Sequence, residues 1–321
     1  MQTIESTQPG GPDSMTLVER PDLAPGPGQV CVRVEAAGVN FVDTYERSGA
    51  YPVAFPFRPG KEGAGLVEAV GEGVTEAVVG QRVAWTNAPG SYATHVLVPA
   101  DRTVPLPEGV SAEQAAALLL QGMTAHYLAC DTFPLQSGHR CLVHAAAGGV
   151  GLLLTQLARL RGASVLAVVS TNEKAQLARE FGAHEVWLAS EDWAGAVRAH
   201  TNRAGVDVVY DSVGRDTFAQ SLGVVRPRGM VVLYGQSSGP VPPLDPQVLS
   251  ARGSIFLTRP TLRDYTLTRA ELLGRADALF TLVRQGQLRV HVAQRFPLAQ
   301  AAAAHRALEG RQTSGKIVLV P

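Results

Sequence analysis

Six residues in a row, Ala146-Ala147-Gly148-Gly149-Val150-Gly151, are the part of this 321-residue chain best suited to hold an anion. They follow the apolar run CLVHAAA (141–147) and lead into GLLLTQLARLRG, whose apolar residues recur at helical spacing. A strand that turns directly into a helix aims the unbonded N–H groups of the first helical turn at whatever lies ahead of them. The pattern is G-x-G-x-x-G with Ala146 in the first glycine position. Gly148 lets backbone approach a pyrophosphate, Gly149 and Val150 line the turn, and Gly151 lets the helix pack closely on the strand. A tight turn without a ligand would use the same glycines. The next strand, SVLAVVS (164–170), supplies the β-α-β setting that a dinucleotide site requires.

The end of that second strand speaks to which dinucleotide. A site for NAD usually has Asp or Glu there, accepting from the ribose 2′-hydroxyl. This chain reads Ser170-Thr171-Asn172-Glu173-Lys174. The strand end is a hydroxyl, and Lys174 follows one turn later, placed to pair with a 2′-phosphate. Glu173 is an acid nearby, and Lys174 alone would also suit a solvated helix face. NADPH is the expected cofactor.

Elements that position these residues are legible in the pattern. After Ser111, an expected N-cap, comes a helix (SAEQAAALLLQGMTAHYLAC). Short apolar runs at 141–147, 164–170, 185–189, 206–212, 230–235 and 254–259 then alternate with helical segments. Such alternation predicts a doubly wound parallel sheet covered on both faces, an α/β Rossmann domain over 121–264. The first 120 residues carry Val-rich runs at 29–39, 63–74, 81–85 and 91–99, broken by Gly and Pro, and predict a mainly β domain. The last strand, GKIVLVP (315–321), is expected to pair with that domain, which becomes discontinuous over 1–120 and 265–321.

Bulk composition narrows the function. Hydrophobic residues make up 45% and charged residues 17%, which suits a large core. Lys plus Arg equals Asp plus Glu, 28 each, so no field of one sign is available to hold nucleic acid. Three widely spaced cysteines are no disulfide framework and fit a reducing compartment. No signal peptide and no bilayer span is expected. The pair Cys141-x-x-His144 falls inside an expected buried strand and reads as core.

The runs GVNFVDTYERSGAYP (38–52), PGKEGAG (59–65), GSYATH (90–95), AAGGVG (146–151), YDSVGRDTF (210–218), GQSSG (235–239), TRPTL (258–262) and SGKIVLVP (314–321) carry a family resemblance over nearly the whole chain. The chain resembles the quinone oxidoreductase and zeta-crystallin branch of the medium-chain dehydrogenase/reductase superfamily. The resemblance implies a GroES-like catalytic domain beside the Rossmann domain, with NADPH in the cleft and a quinone or other conjugated carbonyl compound as acceptor. It implies that Phe41, Val42, Asp43, Thr44 and Tyr45 touch the cofactor, and that Thr124 and Tyr127 lie on the nicotinamide side. Gly149 and Val150 would hold the pyrophosphate, and Ser170 and Lys174 the 2′-phosphate. Ser212, the run Gly235-Gln236-Ser237-Ser238, and Thr258-Arg259-Pro260 would line the nicotinamide half, with Arg311 also reaching the cofactor. A cytoplasmic homodimer is implied too. One departure bears on how firmly the adenosine phosphate is held: where the family often has Tyr, this chain has Ala189.

Zinc-dependent relatives of this layout place a Cys and a Gly-His-Glu in the first domain. Here Asn40 and Lys61 stand at those places, and amide and ammonium groups do not build the N/S site zinc prefers. No metal is expected. Lys61-Glu62 reads as a structural ion pair or as a vestige of the lost metal site, without a catalytic role. Asn40, Tyr45 and Tyr51 are the candidates to face the acceptor. Asn40 would donate an amide N–H to the acceptor oxygen or cap a loop, and each tyrosine would flank a flat ring or anchor a loop. Two other readings stay open: an enone or alkenal double-bond reductase on the same fold, and a crystallin-like NADPH- or RNA-binding protein with little turnover.

Overall fold

The computed structural model describes residues 1–321, which divide into two compact units. One comprises Met1–Met123 with Thr266–Pro321, the other Thr124–Tyr265. The first crossing lies inside the Ala112–Tyr127 helix, a few residues beyond the expected 120/121. No change of local pattern marks it, because one continuous helix starts in one unit and ends in the other. Ser111 caps that helix as expected: its Oγ accepts from Gln114 N at 3.1 Å, while Ser111 N donates to Gln114 Oε1 at 3.0 Å.

The discontinuous unit is built on the strand Gln29–Val39. Antiparallel to it run Glu62–Val70 on one side and, on the other, two strands that share its length. His95–Pro99 pairs with Gln29 through Arg33, and the late strand Lys316–Val320 pairs with Ala37 through Val39. The strand is buried on both faces along most of its length, which explains its near-continuous apolar sequence. Val292–Pro297 extends the sheet beyond Lys316–Val320, and Arg82–Thr86 and Thr103–Pro105 extend it past Glu62–Val70. The core joins Val30, Val32, Val67, Trp85, Val98 and Ile317, and each such buried side chain contributes about 1.5–3 kcal/mol. No run in the first 28 residues predicts a strand, yet Gln2–Ser6 and Met15–Glu19 form a hairpin. Their runs, QTIES and MTLVE, are too short and polar to show alternation.

The continuous unit is a six-stranded, wholly parallel sheet. Its strand order is Glu185–Leu188, Ser164–Val169, Arg140–His144, Val206–Asp211, Val225–Leu233, Phe256–Thr258. The first strand in the chain lies inside the sheet, with its successors winding out to either side. The order reverses there, and that switch point is where such sheets bind ligands, outside the strands' carboxyl ends. The run expected at 230–235 begins earlier, at Val225, through a register shift that absorbs Pro227 and the left-handed Arg228. Cys141 and His144 are both fully buried in the first strand. At the two ends of this unit the rings of Tyr127 and Tyr265 stack, centroids 4.2 Å apart and 7° from parallel.

Candidate active site

The expected phosphate turn follows the first Rossmann strand. Ala145 takes the left-handed conformation (φ 50°), one residue before the position expected for the first glycine, and its carbonyl accepts from Gly148 N at 2.8 Å. The helix Gly149–Leu160 starts at once, and its first intrahelical bond runs from Leu152 N to Gly148 O. A Cβ on Gly151 would lie 2.4 Å from Ala145 O, so only glycine lets this helix approach the turn. The requirement read from the sequence is therefore met in space. Gly148, Gly149 and Val150 are all half-exposed, and the first-turn N–H groups carry the positive end of the helix dipole.

Beside the turn, the second strand ends at Val169, and the helix Asn172–Glu180 is capped by Thr171 Oγ1, which accepts from Lys174 N at 3.3 Å. That cap turns Lys174 back over the strand end, where its Nζ donates to Ser170 Oγ at 3.2 Å. Hydroxyl and ammonium thus meet at the place where an NAD site needs a carboxylate. Ala189 N bonds Val169 O at 2.7 Å, so the position where the family often has Tyr lies next to the same strand end. These groups fit an adenosine 2′-phosphate.

Further along the sheet, Ser212, Gly235, Gln236, Ser237, Thr258 and Pro260 follow or end neighbouring strands and are half-exposed; Ser238 is buried. Arg259 differs from expectation. Its guanidinium donates to Leu233 O, Gly235 O and Gln236 Oε1, at 3.2, 3.2 and 3.0 Å, so it holds the loop that carries these residues. Thr124 is buried, and Tyr127, stacked on Tyr265, is 2% exposed.

In the discontinuous unit, the helix Phe41–Arg47 carries the remaining candidates. Tyr45 and Tyr51 form a ring pair, centroids 5.2 Å apart, and Tyr51 N donates to Tyr45 O at 2.9 Å. Both are half-exposed, as is Phe41, whose ring is 6.2 Å from that of Tyr45. Asn40 corrects the expectation of an acceptor-facing amide. It is 4% exposed, its Nδ2 donates to Glu62 Oε1 at 2.7 Å, and its Oδ1 accepts from Gln121 Nε2 at 3.1 Å and Lys316 Nζ at 2.9 Å. Both ends of the amide are taken up inside the fold. The expected Lys61–Glu62 pair does not form either. Adjacent residues in an extended chain point apart; Lys61 pairs with Glu46 at 2.7 Å, and Glu62 pairs with the buried Lys316. Arg311, exposed and left-handed at φ 55°, lies just past the helix Ala301–Glu309.

A second buried network went unseen in the sequence. Asp43 is fully buried; its Oδ2 accepts from Asn40 N at 2.8 Å and from Tyr92 Oη at 2.9 Å, while Oδ1 meets no donor. Arg47 Nη1 donates to His305 Nδ1 at 2.8 Å, which fixes the His305 proton on Nε2, aimed at Tyr92 Oη 3.1 Å away. The donors run one way, from Arg47 through His305 and Tyr92 to Asp43, and brace the helix at both ends. Burial pushes the Asp43 carboxyl up to about 7, against the pull of Asn40 and Tyr92; burial, with Arg47 adding to it, pushes His305 down to about 3.

These shifts oppose each other in pH. A raised carboxyl loses stability as pH climbs from its ordinary 3.8 to 7, and a depressed imidazole loses stability as pH falls below its ordinary 6.5. Between 3.8 and 6.5 the unfolded chain carries the proton on His305 and the native chain carries it on Asp43, so the pair adds almost no slope. Asp43→Asn keeps an oxygen for Asn40 and Tyr92 but removes the compensation. Its deficit against wild type in urea unfolding is expected to grow by about 2 kcal/mol between pH 6.5 and pH 5. A constant deficit would contradict the assignment.

Residues 26–108 match the family model for the alcohol dehydrogenase GroES-like domain, and residues 149–273 match that for the zinc-binding dehydrogenase. The residues here do not fit zinc. The Asn40 amide and the Lys61 ammonium stand at the ligand places, and no group of three or more His, Cys, Asp or Glu side chains is placed to hold a metal ion. A relative from Burkholderia named 2-haloacrylate reductase is 44% identical, covering 97% of this chain and 96% of its own. The structure of Escherichia coli quinone oxidoreductase complexed with NADPH superposes with a TM-score of 0.98 at 40% identity, over all of both chains. A quinone oxidoreductase from Pseudomonas aeruginosa is 45% identical over 315 residues, 97% of each chain. Likeness at that level, end to end and across both units, makes this chain a member of the quinone oxidoreductase family of the medium-chain dehydrogenase/reductase superfamily.

Proposed function

We propose that this protein passes hydride or single electrons from NADPH to a quinone without a metal ion, as a homodimer in the cytoplasm. The observation that carries the reading is the meeting of Ser170 and Lys174 beside an open glycine turn, where a site for NAD would need an acid. When bound, the reduced nicotinamide supplies the hydride, and the protein's part is placement and electrostatics. Gly148 to Gly151 hold the pyrophosphate through backbone N–H groups. Ser170 and Lys174 take the 2′-phosphate. Ser212, Gly235 to Ser238, Thr258, Pro260 and Thr124 serve the nicotinamide half. Phe41, Tyr45 and Tyr51 offer aromatic faces to a flat acceptor, and a tyrosine hydroxyl is a donor for the oxygen that gains charge. Asn40 packs into the buried cluster rather than facing the acceptor, and the buried Asp43 braces the Phe41–Arg47 helix rather than touching the cofactor.

The likeness to a 2-haloacrylate reductase favours a second reading, reduction of a conjugated double bond in an α,β-unsaturated carbonyl compound. One assay separates them: NADPH oxidation with a benzoquinone or naphthoquinone against an α,β-unsaturated ketone, with and without a chelator. Quinone turnover that a chelator leaves unchanged is expected. Loss of rate in the chelator, restored by zinc, contradicts the metal-free reading. Three free cysteines support a reducing compartment. The edge strand Phe256–Thr258, with Phe256 58% exposed, supports self-association, which sedimentation would test.

A further inference from the structure

The Rossmann unit contains a fully buried carboxylate that the cofactor reading does not use. Asp211 ends the strand Val206–Asp211 and is saturated with donors. Its Oδ1 accepts from Val213 N at 2.9 Å and Gly214 N at 3.0 Å. Thr217 Oγ1 straddles both oxygens at 2.9 and 2.8 Å, and Ser221 Oγ donates to Oδ2 at 2.8 Å. With the Ser221 proton committed, His144 Nε2, 3.0 Å away, is the donor to that hydroxyl. Burial holds His144 below its ordinary range, so the ring is neutral; it packs edge-on to Trp193, with Nδ1 buried and unpartnered. The carboxylate therefore fixes the turn 212–217 from beneath.

That turn is interlocked with the loop after the next strand. Ser237 N donates to Ser212 O at 3.1 Å, and Ser238 N and Oγ donate to Val213 O at 2.8 and 2.7 Å. Asp216 N returns a bond to Ser238 Oγ at 3.1 Å. A Cβ on Gly235 would lie 2.7 Å from Ser212 O, and one on Gly214 would lie 2.7 Å from Gly239 O. Backbones this close cannot move independently, so what sets the first loop sets the second. We infer that Asp211, acting through Thr217 and Ser221, is the positioning residue for the paired loops carrying Ser212 and Gly235 to Ser238, and that it governs the nicotinamide half of the cofactor while leaving the adenosine half untouched. Ser170 and Lys174 lie across the Arg140–His144 strand, outside this network.

The inference rests on the NADPH reading and predicts a split that a general loss of packing would not produce. Thr217→Val keeps the shape and removes the hydroxyl that spans the carboxylate; Thr217→Ser restores it; Asp211→Asn tests the acceptor itself. Each is measured for kcat and KM with NADPH and a quinone, and for the dissociation constant of adenosine 2′,5′-bisphosphate, which reads only the adenosine end. Thr217→Val and Asp211→Asn are expected to lower kcat/KM for NADPH about tenfold, with bisphosphate binding within about twofold of wild type and Thr217→Ser close to wild type on both measures. If Asp211→Asn does not fold, Thr217→Val decides. Equal weakening of NADPH and the bisphosphate, a Thr217→Ser as impaired as Thr217→Val, or a Thr217→Val with unchanged kcat/KM beside a normal wild type overturns the positioning role alone. A wild type that neither binds the bisphosphate nor oxidises NADPH overturns the cofactor reading, and this inference with it.

Discussion

Lys316→Met is expected to cost about 3–5 kcal/mol of stability, and Glu62→Gln in the same chain to recover most of it. Lys316 is 1% exposed, and its ammonium lies against Glu62 Oε1 and Asn40 Oδ1. Glu62, wholly buried, also accepts from Asn40 Nδ2 and, through Oε2, from Leu120 N at 2.7 Å. Remove the ammonium and a carboxylate is left in the core with only dipoles to hold it. Remove both charges and the desolvation cost disappears with them, so the double variant should approach wild type. The cycle is read from urea midpoints at constant m-value. A single variant within about 1 kcal/mol of wild type would show that the cluster is not an ion pair in solution. The cluster gathers residues from the Gln29–Val39 strand's end, the Glu62–Val70 strand, the Ala112–Tyr127 helix and the Lys316–Val320 strand, so activity should follow stability in this series.

Lys174→Ala is expected to weaken NADPH by about ten- to a hundredfold while changing NADH little, since a charge-assisted hydrogen bond to phosphate is worth about 1.5–3 kcal/mol. The side chain already lies over Ser170, so little ordering is needed when the phosphate arrives. High salt should reduce the difference between the two coenzymes in wild type and barely affect the variant. An equal effect on both coenzymes removes the 2′-phosphate assignment. Ala189→Tyr is the complementary change, since position 189 adjoins the same strand end.

How much of this was legible depends on distance along the chain. The glycine turn was readable because its glycines answer a local steric demand, which the 2.4 Å approach at Gly151 makes plain. Ser170 and Lys174 lie four positions apart on a strand end and the following helical turn, so spacing alone brought them together. The Gln29–Val39 strand matched its apolar run residue for residue. The two buried networks of the discontinuous unit were not readable. Tyr92 and His305 are 213 positions apart, and Lys316 meets Glu62 across 254. A lone lysine in the apolar run KIVLV, and an Asp three residues after Asn40 at a helix start, were the available signals. Neither names its partner. The same limit holds for Asn40: an amide is equally able to face a ligand or a buried ion pair, and only the fold shows which.

The stacked rings of Tyr127 and Tyr265 have a consequence for how the polypeptide can be cut and rejoined. They clasp the entry and exit of the 124–265 segment face to face, so that segment is an insertion whose two ends lie side by side. A connector of only a few residues would therefore join those two ends in a circular permutation.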